Sequence, residues 1–232
     1  MGFSIIIPLY NEEHNISKLI DEILVSLKNI YDEFEIILVN DCSKDGTLKI
    51  INQISSSNKL VKTIDNNTNL GQSYSIIRGI KKAKYDIICT LDGDGQNNPI
   101  DIPRLIDKYL SSEKIYLVGG IRKNRKDNFI KKITSKFANK IRGKILKDNC
   151  IDTGCSLKVF DKNTFLKFPE FKGLHRFLPA FFMYYKKQNV YIDVDHRPRL
   201  KGKSNYGTID RLIYGIIDLL RVFLILKNIK ND

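Results

Sequence analysis

Apolar and polar positions follow two alternating rhythms through the first part of the chain. Phe3 to Pro8 is a short apolar run that reads as a strand. Ile16, Leu19, Ile20, Ile23, Leu24 and Leu27 then recur at helical spacing, which predicts a helix from about Glu13 to Lys28. Glu35 to Asp41 reads as a second strand. A helix through Ile54 follows, opened by Asp45-Gly46-Thr47 with Asp45 or Thr47 as its N-cap. Leu60 to Asp65 is a third strand, Asn66 to Gly71 a polar loop and Gln72 to Ala83 a helix. Tyr85 to Leu91 is a fourth strand. Strands that alternate with helices in this way predict an α/β domain, with a mainly parallel sheet flanked by helices on both faces. The stretch holds neither a P-loop nor a GxGxxG, which disfavours ATPase and dehydrogenase chemistry.

The second half is less regular. Ile102 to Leu110 reads as a helix and Ile115 to Gly119 as a strand. Phe129 to Leu146 sets Phe129, Ile130, Ile133, Phe137, Ile141 and Ile145 on one side and lysines on the other, a basic amphipathic helix. Ser156 to Phe160 and Val190 to Asp195 are expected strands, with a helix from Arg176 to Lys187 between them. Thr208 to Lys227 is apolar around most of its circumference, with Asp210, Arg211, Asp218 and Arg221 on a narrow stripe. Those charges favour an amphipathic helix lying at a membrane interface over a spanning one. Packing on the protein's own core, or on a second copy in a homodimer, is the alternative. The expected division is a catalytic domain over 1–207 and this helix over 208–232.

Charge sharpens the picture. The 232 residues carry a net charge of +13, which calls for an anionic partner such as a nucleotide or a phospholipid surface. From Arg122 to Lys147 there are eleven Lys or Arg residues and one acid, Asp127. Nucleic acid is a poor fit, because no stacking platform or known binding module accompanies the basic segments. Cys42, Cys89, Cys150 and Cys155 show no metal-ligand spacing, and so few cysteines suit a reducing compartment. The N-terminus enters a strand almost at once, so no signal peptide is expected. The chain is accordingly expected in the cytoplasm, peripherally bound to the membrane.

The chemistry concentrates after the fourth strand, in Leu91-Asp92-Gly93-Asp94-Gly95-Gln96. On extended backbone, side chains at i and i+2 point the same way, so Asp92 and Asp94 are expected to face one pocket at the strand's carboxyl end. Two carboxylates held that close repel, and a divalent cation is their natural partner. Gln96 adds a neutral oxygen, which suits Mg²⁺ or Mn²⁺ better than zinc. Both aspartates are expected in turns facing solvent.

Three motifs, in order and at strand ends, carry a family resemblance: Pro8-Leu9-Tyr10-Asn11-Glu12, Val39 to Thr47, and Asp92 to Gln96. Together they resemble glycosyltransferase family 2, the GT-A fold, over essentially the whole chain. Within it the chain looks most like the dolichol-phosphate mannose synthases and related polyprenyl-phosphate glycosyltransferases. The resemblance implies a nucleotide pocket built from Pro8, Tyr10, Glu12, Asp41 and Asp92, and a metal site from Asp92, Asp94 and Gln96. Asn40 stands where the family usually has another Asp. Gly119-Gly120-Ile121-Arg122 with Arg125 resembles the family's Gly-x-Arg segment, which marks Arg122 as a catalytic candidate. Lys132 and Ser135, with Lys131, sit where those enzymes carry acceptor-phosphate ligands, so Arg125, Lys132 and Ser135 are acceptor candidates. A solvated helix face explains these lysines equally well. Asp152-Thr153-Gly154-Cys155 looks like the family's stretch beside the sugar. His196 to Tyr206 resembles the loop that closes over the diphosphate, with Arg199 and Lys203 as its cations. His175 and Arg176 fall where many inverting members place a base or acceptor group. A helix-start histidine with a satisfied hydrogen bond is the preferred reading of His175.

The resemblance implies an inverting, metal-dependent transferase moving a sugar from GDP-mannose or a UDP-sugar to a dolichyl or undecaprenyl phosphate, in cell-envelope biosynthesis. An acceptor phosphate, with a second pKa near ~6, needs no general base, only cations. The alternative is transfer to a sugar hydroxyl of lipopolysaccharide or another surface polysaccharide, with His175 or a carboxylate as base. A dehalogenase-type phosphatase also uses strand-Asp-x-Asp, but Gln96 and the motif's place after the fourth strand disfavour it. A non-catalytic binding module fits least well with Asp92, Asp94 and Gln96 all present.

Overall fold

The computed structural model describes residues 1–123, 142–198 and 208–229. The period-two pattern divides each central strand between two layers. In β1 (Phe3–Leu9), Phe3, Ile5, Ile7 and Leu9 enter one apolar cluster and Ile6 the other. Strands β2 (Phe34–Asn40) and β4 (Ile87–Thr90) divide in the same way. A strand buried on both faces needs helices on both sides. One layer is α1 (Ile16–Leu27), α2 (Thr47–Ser57) and α4 (Ile102–Leu110); Ile16, Leu19, Ile20 and Ile23 of α1 are at most 2% exposed. Burying each such side chain contributes roughly 1.5–3 kcal/mol. The other layer is α3 (Gln72–Lys82), α6 (Leu178–Tyr184) and the final helix α7 (Thr208–Ile229), which inserts Val222. A Cβ on Gly79 would lie 2.5 Å from Ile6 Cγ2, so α3 rests on β1 at a distance only glycine permits.

The sheet has seven strands in the order β3-β2-β1-β4-β6-β5-β7, completed by β3 (Val61–Asp65), β5 (Ile115–Arg122), β6 (Lys158–Asp161) and β7 (Gln188–Val194). All are mutually parallel except β6, which runs antiparallel between β4 and β5. A short helix α5 (Lys162–Phe165) follows β6 directly, with Asp161 Oδ1 accepting from the Thr164 N–H as its cap.

The helix expected over Arg176–Lys187 is instead a 3-10 turn, Leu174–Arg176, followed by the shorter α6. Pro179 belongs in a first helical turn, so the α-helix starts at Leu178 rather than running through from Arg176. The basic segment Phe129–Leu146 lies outside the described residues except for a helical turn at 142–146. No helix among the described residues is long and apolar enough to cross a membrane.

Candidate active site

The carboxyl ends of β1, β2 and β4 lie side by side, paired from Phe3↔Phe34 to Leu9↔Asn40 and from Phe3↔Ile87 to Ile6↔Thr90. The chain winds outward from β1 to β3, then places β4 on the opposite edge of β1. Open α/β sheets bind ligands at such a switch point. A Cβ on Gly93 would sit 2.3 Å from Leu9 Cδ2 and 3.5 Å from Glu12 Cγ, so the Asp92–Gln96 turn and the Tyr10–Glu12 loop touch.

A lattice of hydrogen bonds fixes the loops that follow β1 and β2. The backbone N–H groups of Asn11, Glu12 and Glu13 donate to Ser43 Oγ, Thr47 Oγ1 and Asp45 Oδ2 at 3.0, 2.8 and 3.3 Å. In return Lys44 N–H donates to Asn11 Oδ1 at 2.8 Å and Gly46 N–H to Glu13 Oε2 at 2.7 Å. Asp41 is buried, and its carboxylate accepts from Leu70 N–H, Gly71 N–H and Asn66 Nδ2, each at 2.8 Å. In this structure it anchors the 66–71 loop. Asn40 Nδ2 donates to Asp65 Oδ1 at 2.7 Å, tying β2 to β3. Pro8 and Tyr10 are half-buried at the end of β1, and Glu12 Oε2 accepts from Asn15 Nδ2 at 2.6 Å.

β4 ends at Thr90, so Asp92 and Asp94 converge through a turn rather than along extended backbone. Gly95, at φ 71°, closes that turn, and Gln96 N–H donates to Asp94 Oδ1 at 3.1 Å. The turn does not face solvent: Asp94 is 8% exposed and Asp92 half-buried. Burial first, and then the neighbouring Asp94 charge, push the Asp92 carboxyl above the usual carboxylate range. Gln72 Nε2 donates to Asp92 Oδ1 at 2.7 Å, and the Asp92 N–H to Ser156 Oγ at 3.2 Å. Two crowded carboxylates with hard oxygens fit Mg²⁺ or Mn²⁺. Among the described residues no cluster of three or more His, Cys, Asp or Glu forms a metal cage. Gln96, substrate and water are oxygen donors that would complete the shell of an ion held by Asp92 and Asp94.

A cavity of about 580 Å³ opens beside Asp92, lined among others by Gln72, Ser73, Lys158, His175, Arg176 and Asp218. Lys158 is buried at the start of β6, where its Nζ donates to the Cys155 carbonyl. Ser73 Oγ accepts from Gly173 N–H at 2.9 Å and lies 2.6 Å from His175 Nδ1. The His175 backbone N–H also donates to that oxygen, at 3.4 Å; with both lone pairs taken, the serine proton goes to Nδ1, which leaves His175 neutral with its proton on Nε2. Burial first, then Arg176 and Lys158, push the imidazole down to about 3. His175 is thus the satisfied, uncharged histidine of the preferred reading. Arg122 is held by Asp152, its Nε and Nη2 each 2.7 Å from a carboxylate oxygen. Arg176 Nη2 donates to Asp218 Oδ2 at 2.6 Å.

Arg125, Lys132, Ser135, Arg199 and Lys203 lie outside the described residues. Two residues before Arg199, Arg197 N–H donates to the Gln96 carbonyl at 2.8 Å, and its guanidinium grips Glu22 at 2.6 and 3.1 Å. Sequence reasoning passed over Gln72, Ser73, Ser156, Lys158 and Asp218. Only Lys158 carried a signal, as a lone cation in the run Leu157-Lys158-Val159-Phe160.

Sheet order, switch point and the place of the carboxylate turn are those of the GT-A fold. The family model for Glycosyl transferase family 2 matches residues 4–188, and the chain belongs to that family. It is 32% identical over 231 residues to dodecaprenyl-phosphate galacturonate synthase of Rhizobium johnstonii, covering 98% of this chain and 68% of that protein. It is 33% identical over 220 residues to undecaprenyl-phosphate 4-deoxy-4-formamido-L-arabinose transferase of Photorhabdus laumondii, covering 94% and 66%. The chain thus spans about two thirds of the length of these curated relatives. Among solved structures, mannosyl-3-phosphoglycerate synthase from Rubrobacter xylanophilus shares the fold at a TM-score of 0.75 and 14% identity, over 98% of this chain and 75% of that one. Glucosyl-3-phosphoglycerate synthase from Mycobacterium tuberculosis, solved with Mn²⁺, UDP-glucose and glycerol 3-phosphate, gives 0.72 and 18%, over 96% and 79%.

Proposed function

We propose that the chain transfers a sugar from a nucleotide-sugar, GDP-mannose or a UDP-sugar, to a polyprenyl phosphate, with inversion and with Mg²⁺ or Mn²⁺ on Asp92 and Asp94. One observation carries the choice of acceptor: the cavity beside Asp92 is lined by Lys158, Arg176, Lys172 and Arg221, and among the described residues that line it no general base is free. His175 has its Nδ1 committed to Ser73 and is too weakly basic to take a proton at neutral pH. Of the two lining carboxylates, Asp218 is held by Arg176 and Asp92 belongs to the metal turn. A hydroxyl acceptor would need a base, whereas a phosphate arrives ionised and needs cations to hold it. The relatives' names share a polyprenyl phosphate and differ in the sugar, which supports the same acceptor class.

A metal bound at Asp92 and Asp94 would neutralise charge on the departing diphosphate. The protein's own part is placement. Gln72 and Ser156 fix the orientation of Asp92, and Lys158 sets a buried positive charge beside it. The N–H left on Nε2 makes His175 a donor rather than a base. The Arg122–Asp152 pair braces the end of β5.

A lipid acceptor also requires contact with its membrane. A second cavity, of about 570 Å³, is lined by Leu146, Met183, Phe223 and Leu226 together with Lys147, Lys186 and Lys227. Leu220, Phe223 and Leu224 of α7 are 57%, 42% and 57% exposed. Apolar side chains beside lysines suit peripheral docking on an anionic cytoplasmic surface.

Incubation of the purified protein with radiolabelled nucleotide-sugars, a divalent cation and undecaprenyl phosphate tests the reading. The expected product is a lipid whose label is released by mild acid, as a glycosyl phosphate is. Label that appears instead in an acid-stable glycoside of an added glycolipid or oligosaccharide would move the function to a hydroxyl acceptor.

A further inference from the structure

The C-terminal helix reaches the catalytic cavity through one acidic residue. Asp218 of α7 is 7% exposed and lines the cavity. Its Oδ2 accepts from Arg176 Nη2 at 2.6 Å, and Arg221 Nη1 stands 3.6 Å from its Oδ1. Gly173, at φ 103°, presses the preceding turn against this pair. A Cβ there would lie 2.5 Å from Asp218 Oδ2 and 3.1 Å from Arg176 Nη2. The same turn presents His175 and is pinned to α3 by Ser73.

We propose that Asp218 is a positioning residue for the acceptor: it fixes the Arg176 guanidinium in the cavity wall, ready to receive the phosphate. This rests on the phosphate-acceptor reading above. Arg176 leaves the turn on a long, rotamer-rich side chain, and holding such a side chain in one pose has an entropic cost. Asp218 meets that cost before the acceptor arrives, through one edge of the guanidinium. Arg176 Nε is buried, and with the side chain 35% exposed the remaining Nη hydrogens are the ones left for phosphate oxygens. One carboxylate between two arginines leaves the cluster net positive. The helix is thereby a working wall of the site as well as a docking surface.

Steady-state kinetics of the full chain, with undecaprenyl phosphate and nucleotide-sugar varied in turn, test the proposal. Asp218→Ala is expected to raise the acceptor KM about tenfold, the scale of one charge-assisted hydrogen bond. The kcat and donor KM stay within about twofold. Asp218→Glu, which keeps the charge, recovers part of the loss. Arg176→Ala raises the acceptor KM as well, and the double variant adds little beyond Arg176→Ala. An acceptor KM that is unchanged or lower in Asp218→Ala overturns the proposal, because Asp218 would then only repel the phosphate. Equal losses in kcat and both KM values, with a lower melting temperature, overturn it in favour of a structural role. Wild-type protein that glycosylates another acceptor but no polyprenyl phosphate overturns the functional reading itself, and the role of Asp218 with it.

Discussion

At the scale of single residues, the electrostatics of the cavity divide the labour among its ionisable groups. Asp92 and Asp94 repel across a buried turn, and that unfavourable arrangement makes them suited to a cation. Asp94→Ala is expected to abolish transfer, and Asp92→Ala to be nearly as severe, while circular dichroism and melting temperature remain close to wild type. Excess EDTA should abolish wild-type activity in the same assay; activity that survives it would end the metal-site reading. His175 makes a separate prediction. Its folded pKa is pushed down to about 3 from an ordinary value of 6.5. Between those values the unfolded chain binds a proton that the folded chain refuses, so stability falls as pH drops through the window and is unaffected above it. Urea midpoints at about pH 5 and about pH 7.5 should therefore differ less in His175→Gln than in wild type. An equal difference in both proteins would place the imidazole's burial in doubt.

At the scale of elements, the connections matter more than the helices and strands they join. Asp41 follows the last residue of β2 and gathers the loop that leads into α3, and α3 then supplies Gln72 to Asp92 and Ser73 to His175. Asp41→Asn replaces one acceptor oxygen with an amide that faces backbone N–H groups. A loss of about 1–3 kcal/mol in unfolding free energy is expected, with weaker nucleotide binding by calorimetry. A variant as stable as wild type would show that the loop does not depend on this carboxylate. The elements before Asp94 were legible in the sequence because β1, β2 and β4 are largely apolar runs and the helices set apolar residues at helical spacing. The antiparallel direction of β6 was not legible, since a four-residue strand carries no mark of its orientation. The helix start at Leu178 was missed because the aromatic run from Phe177 to Tyr185 conceals the break that Pro179 marks. Within the site, the carboxylate turn announced itself, whereas Gln72 and Asp218 are ordinary surface-type residues until the fold sets them against Asp92 and Arg176. Their roles arise from tertiary contact and leave no local pattern to read.

At the scale of the whole molecule, two kinds of attraction should hold the protein to a membrane that presents the proposed acceptor, and salt separates them. The net charge of +13 draws the chain to an anionic surface, each nearby Lys or Arg contributing on the order of ~1 kcal/mol, which salt screens. The exposed Leu220, Phe223 and Leu224 of α7 offer apolar insertion, which salt leaves intact. In flotation with liposomes rich in phosphatidylglycerol, high salt should release only part of the wild-type protein. Changing Leu220, Phe223 and Leu224 together to Gln should make the remainder fully salt-releasable, with little effect on folding, because these side chains already face water. Transfer to a polyprenyl phosphate embedded in liposomes should fall in that variant, while transfer to a short-chain, water-soluble analogue should not. If the wild type ignores anionic liposomes at low salt, the exposed stripe of α7 is better explained by a second copy of the chain. Sedimentation of the same triple variant would then show a dimer lost rather than a membrane contact.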